Sequence, residues 1–160
     1  MDKFSKKLLN QKTVLHQALI IAKLPILIAM FITPIRFLLE LAGVPENFIF
    51  IIGLLWLALG FSIYWGVKLY HHKHSILILI MGLLIFSPIS RIPVAMFWWI
   101  DQNWAFGTHY GLYFDNWVDA LLNHIGYGSL VQIIPGSLLG SITIIIMKRK
   151  KLATITNQKL

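Results

Sequence analysis

FIFIIGLLWLALGFSIYWGV, residues 48–67, is a run of twenty residues without a single charge. That is the length an α-helix needs to cross the roughly 30 Å hydrocarbon core of a bilayer. It ends in Lys68 and a basic turn of His71, His72, Lys73 and His74, and it reads as the cleanest of the chain's spans. Three more apolar stretches qualify on either side of it, at about residues 18–42, 76–100 and 129–147. Together they take well over half of the 160 residues, of which 58% are hydrophobic. One small water-soluble core cannot bury that fraction, so lipid is the expected solvent. The fold class expected is an all-α membrane protein: four transmembrane helices in one bundle, with the whole chain, 1–160, forming a single domain.

The other spans carry more polar detail. The first holds Lys23, Pro25, Pro34, Arg36 and Glu40 and stops at Gly43 and Pro45, as a helix end should. The third carries Ser87, Pro88, Ser90, Arg91 and Pro93 and ends in Trp98 and Trp99, a pair that reads as an interfacial anchor. Lys3, Lys6, Lys7 and Lys12 precede the first apolar run, as in a signal peptide, but no small-residue cleavage site closes it; a retained span is expected.

Cations set the orientation. The formal charge of +8 comes from eleven Lys and three Arg, nearly all in the N-terminal tail, the turn at 68–74 and the tail at 148–160. These segments are predicted to face the cytoplasm, with both termini inside and a bacterial inner membrane as the location. The segment 101–128 has three Asp and no Lys or Arg and is predicted to be the outer loop. It contains a candidate interfacial helix at Asn116–His124, with Asn116 as N-cap, Asp119 three residues on, and an apolar stripe of Val118, Leu121, Leu122 and Ile125. Charge confined to membrane edges is not the stripe a nucleic-acid surface requires, so no nucleic-acid partner is expected. Cysteine is absent, which excludes disulfides, thiolate metal sites and cysteine nucleophiles.

Arg36 and Arg91 are the sharpest signal. A guanidinium in hydrocarbon costs at least about 2.5–3.5 kcal/mol unless compensated, and at 1.5 Å per residue the two lie about 9 Å and 13 Å below the outer ends of their spans. Each follows a hydroxyl-proline pair, Thr33-Pro34 and Ser87-Pro88, a similarity that raises a parallel two-plus-two repeat as an alternative to chance. In a structural reading Arg36 pairs with Glu40, and Arg91 with Asp101 or with carbonyls freed by Pro93. In a functional reading the two guanidiniums approach each other in the outer half and hold a phosphate or carboxylate. The acids nearby are Glu40, Asp101, Asp115 and Asp119, and His109 and His124 complete the candidate ligand-binding set.

Those histidines and aspartates match no metal signature, and no histidine sits mid-span to ligate haem. No metal or cofactor is therefore expected, and His71, His72 and His74 are read as orienting charge rather than a metal tract. Gly136 and Gly140 form a GxxxG, and Ser62 and Gly66 offer the second span a matching small pair; packing within the bundle is expected, with homodimerisation through the same face as the alternative. Pro135 frees a carbonyl near residue 131 that Gln132 or Ser129 is positioned to satisfy.

The favoured function is a non-enzymatic membrane module that binds an anionic lipid headgroup, small anion or acidic partner. The alternatives are an accessory or immunity-type protein recognising other membrane helices, and an enzyme on a lipid-borne substrate with His109 or His124 as base.

Overall fold

The computed structural model describes residues 3–111 and 113–157, with side chains described over 13–111 and 113–153. The helical order is α1 (Lys3–Leu41), α2 (Glu46–Ile51), α3 (Leu54–Leu69), α4 (Ser75–Trp104), α5 (Trp117–Leu121), a π-helical segment (Leu122–Tyr127) and α6 (Gly128–Asn157), and no strand occurs among the described residues. Four helical stretches are long and apolar enough to cross a membrane: Thr13–Leu41, Glu46–Leu69, Ser75–Trp104 and Trp117–Ala153. Residues 158–160 of the expected basic tail lie outside the described residues, as do the side chains of Lys3, Lys6, Lys7 and Lys12.

Packing follows the small residues. α1 lies mainly on α4, α3 on α6, and α6 also on α4. Ala18, Ala22, Pro25, Ala29 and Thr33 form the fully buried stripe of α1, at the three-to-four-residue spacing of one helix face. Its opposite face exposes Leu24, Leu27, Phe31 and Leu38, side chains that water would not tolerate in such number but lipid does. Between α3 and α6 the backbones come very close. A Cβ on Gly136 would stand 2.8 Å from Ser62 Oγ, and one on Gly66 would stand 2.6 Å from Thr143 Cβ. The Ser62–Gly66 and Gly136–Gly140 pairs thus meet each other inside the chain's own bundle.

The second span is not one helix, contrary to its uninterrupted apolar sequence. α1 ends in a Schellman arrangement, with Gly43 at φ 79° and the Val44 N–H donating to the Leu39 carbonyl at 3.0 Å. The six-residue α2 follows Pro45 and stops at Ile52, and Gly53 is extended (φ −95°, ψ 148°) before α3 begins at Leu54. A Cβ on Gly53 would meet the Phe50 carbonyl oxygen at 2.9 Å, so this bend excludes a side chain. Hydropathy does not register a backbone break of this kind.

The fourth helix is longer than the apolar run that announces it. Asn116 caps as expected, its side chain accepting the Asp119 N–H at 2.9 Å. The helix that follows, however, is not a separate piece lying between spans three and four. It continues through the π-helical segment, where the Gly128 N–H reaches the Asn123 carbonyl, straight into α6. Polar residues at 115–124 lowered the hydropathy and hid this continuity.

Candidate functional site

At the end of the bundle that carries the 105–116 loop, a cavity of about 210 Å³ lies between α1, α3, α4 and that loop. Its polar lining is Arg36 from α1, Arg91 from α4, His109 and Tyr110 from the loop, and His124 from the π-helical segment. Phe50, Leu54, Leu55 and Val94 supply its apolar wall, with Gly53 between them. The two arginines, 55 positions apart in sequence, therefore share one compartment. Gly128 makes room for one of them: a side chain there would collide with the Arg91 guanidinium.

The carboxylates go elsewhere. Glu40 does not pair with Arg36. It accepts the His109 backbone N–H at 2.7 Å and meets His109 Nδ1 at 2.5 Å. One carboxylate thereby clamps both main chain and ring, and ties the loop to the end of α1. Asp101 does not pair with Arg91. It is buried, its side chain accepts the Thr108 N–H at 3.4 Å, and its carbonyl accepts the Ala105 N–H at 2.7 Å, where the chain turns through a left-handed Ala105. Gly111 leaves space for that carboxylate. Asp115 and Asp119 are exposed, and Asp119 is engaged by the Asn116 side chain; neither lines the cavity. Loop connectivity, invisible in a single sequence, sent Glu40, Asp101 and Asp119 to structural tasks.

The cations are left without counter-groups. Neither arginine side chain makes an ion pair or hydrogen bond to another described residue, and the Nε of each is buried and unpartnered. The Tyr110 hydroxyl and His124 Nε2 are likewise buried without a partner. Tyr110, only 1% exposed, is packed among Phe37, Phe97 and the His109 ring. Burial pushes its hydroxyl up to about 12, against a smaller downward pull from Arg36 and an upward push from Glu40.

Two further corrections concern neighbours. Trp98 is not an interfacial anchor: it is buried, and its Nε1–H donates to the Phe114 carbonyl at 3.1 Å, pinning the loop to α4, while Trp99 stays half-exposed. Gln132 and Ser129 do not serve the carbonyl freed by Pro135, since the Gln132 amide and the Ser129 hydroxyl are buried without any partner.

Tyr110 and Gly53 escaped the sequence reading as site residues. The signals were present, an aromatic beside His109 and a lone glycine early in an apolar run, but neither type is diagnostic. No group of three His, Asp or Glu side chains able to hold a metal occurs among the described residues. Compared with known proteins, the chain matches no family model, no curated protein and no solved structure.

Proposed function

We propose that this chain is a multi-pass membrane protein, with both termini in the cytoplasm, that binds an anionic group in the cavity between Arg36 and Arg91. One observation carries the reading: two guanidiniums line one cavity while the nearby carboxylates, Glu40 and Asp101, are committed to the loop. Like charges in a partly dry site repel strongly, so an anion entering between them gains both attraction and hydrogen bonds. The orientation is supported by the cation-rich segments at 68–74 and 148–151 against a loop end without Lys or Arg. The small-residue face that would serve a partner helix is filled by the chain's own α3–α6 contact, which favours the anion site over helix recognition.

The test is titration of the purified protein in a neutral detergent with inorganic phosphate and with phosphatidylglycerol, followed by native mass spectrometry or calorimetry. Arg36→Lys and Arg91→Lys should each weaken binding about ten-fold, through loss of forked hydrogen bonds with charge retained. The double leucine variant should abolish it. Binding of both anions unchanged in the double leucine variant would refute the reading.

A second reading, an enzyme acting on a lipid-borne substrate, is favoured by the Glu40–His109 pair. A carboxylate on Nδ1 orients the ring and leaves Nε2 as the atom able to take a proton. Under that reading His109→Gln lowers turnover by far more than it weakens anion binding.

A further inference from the structure

We infer that the break in the second span completes the anion site, the first-turn amides of α3 joining Arg36 and Arg91 in holding the oxygens of a phosphoryl group. The inference rests on the anion-binding reading above and adds the chemical class of the ligand.

α3 is a sixteen-residue helix whose N-cap, Gly53, offers no side chain to its first turn. The opening N–H groups of a helix have no intrahelical acceptor and sit at the positive end of its dipole. Here that end is inside the bundle, because Gly53, Leu54 and Leu55 line the cavity that Arg36 and Arg91 also line. An interrupted span that aims a helix N-terminus at an anion within the membrane is a known physical solution to binding charge at depth. A helix end alone would be a weak argument. The independent observation is Tyr110: it is 1% exposed, its hydroxyl has no partner, and it lines the same cavity. With Arg36 and Arg91, residues able to donate line the cavity from α1, α3, α4 and the loop.

That convergence selects the ligand. A carboxylate is planar, and one guanidinium fork satisfies it. A phosphoryl group is tetrahedral and presents three or more oxygens in different directions, which matches donors arriving from four elements. The cavity, about 210 Å³, equals roughly seven water volumes, enough for a phosphate ester and a few carbons. Its wall of Phe50, Leu54, Leu55 and Val94 suits the carbon skeleton of an ester. A lipid headgroup and a free phosphate share this chemistry, and the experiment separates them.

The full-length protein is titrated with inorganic phosphate in a neutral detergent, and in a second arm is placed in phosphatidylcholine nanodiscs with and without phosphatidate. Backbone amide resonances are followed in both. Leu54→Pro removes one first-turn N–H at the position where proline is best tolerated, after a Gly53 already in the extended conformation that precedes proline. Leu54→Ala loses the same packing and keeps the N–H. Leu54→Pro should bind about ten-fold more weakly than Leu54→Ala, the effect of one charge-assisted hydrogen bond. In the wild type the Leu54 and Leu55 amides should shift and saturate with the ligand; this readout stands even if Leu54→Pro fails to fold. Response in the phosphate arm alone identifies a free phosphate, and response in the phosphatidate arm alone a lipid; either supports the proposal. Equal affinities for the two Leu54 variants with unmoved amides, while Arg36→Leu/Arg91→Leu abolishes binding, would overturn this inference and leave the anion site standing. Acetate binding as tightly as phosphate would overturn the phosphoryl assignment. No binding of any probe by the wild type would overturn both.

Discussion

Along the contact between α3 and α6, glycine meets serine and threonine at backbone distance, and the Ser62 and Thr143 hydroxyls are returned to carbonyls of their own helices at 2.7 and 2.9 Å. Around the cavity the opposite holds: Arg36, Arg91, Tyr110 and His124 each keep a buried polar atom with no partner. The first region minimises free energy through close packing, which is what helices long enough to span a bilayer need, because a bilayer offers no hydrophobic drive between them. The second region leaves favourable interactions unmade, as Ser129 and Gln132 also do outside it, and a ligand in the cavity would recover those it reaches. The contrast separates what holds this molecule together from what it does.

Four measurements put that contrast to the test. The largest effect belongs to the seam. Gly66→Leu forces a side chain into Thr143 and the Gly140 carbonyl and should destabilise the fold by about 3 kcal/mol, read as a lower denaturation midpoint in detergent. A tolerated leucine there would mean the seam is looser than its distances.

Tyr110 comes next. Its hydroxyl is raised to about 12 in the folded protein, from the ordinary 10, by burial. Between these values the unfolded chain has released the proton and the folded chain has not, so stability is fully present below pH 10 and declines as pH rises toward 12. The decline attributable to this residue is about 2–3 kcal/mol. It should vanish in Tyr110→Phe, and a Tyr110→Phe profile parallel to wild type would show that the ring is wetter than its burial.

Smaller, and opposite in sign to most core changes, is Arg36→Leu/Arg91→Leu. Without ligand, removing two uncompensated guanidiniums should raise stability by about 1–2 kcal/mol even as anion binding is lost. A fall in stability would return both arginines to a structural role. Smallest is Asn116→Ala, which deletes the cap on the Asp119 N–H and should cost about 0.5–1 kcal/mol with anion affinity unchanged.

How much of this was legible in sequence follows from what each feature costs. Four apolar runs are visible because crossing lipid demands about twenty apolar residues in a row. Arg36 and Arg91 are visible because charge inside such runs is expensive and must be explained. Gly53 was not, since glycine is common in membrane helices and only the approach of the Phe50 carbonyl shows that the chain bends there. Assigning Glu40, Asp101, Asp115 and Asp119 to the arginines failed for another reason. Which acid reaches which base depends on the path of the 105–116 loop, and that path is fixed by long-range bonds, Glu40 to His109 and Trp98 to Phe114, that leave no local pattern.

The π-helical segment at Leu122–Tyr127 has a genetic consequence. Closing rings one residue wider than α, it amounts to a one-residue insertion absorbed in place, and π-bulges of this kind recur at functional sites. Removing a single residue there, for example Gly126, would restore ordinary α geometry. Because the wider rings already absorb the extra residue, the helix on both sides, Trp117 before it and α6 after it, would keep its phase. A one-codon deletion here is thus expected to leave both the seam and the cavity wall nearly in place, whereas the same deletion in the regular part of α6 would turn everything beyond it by about 100°.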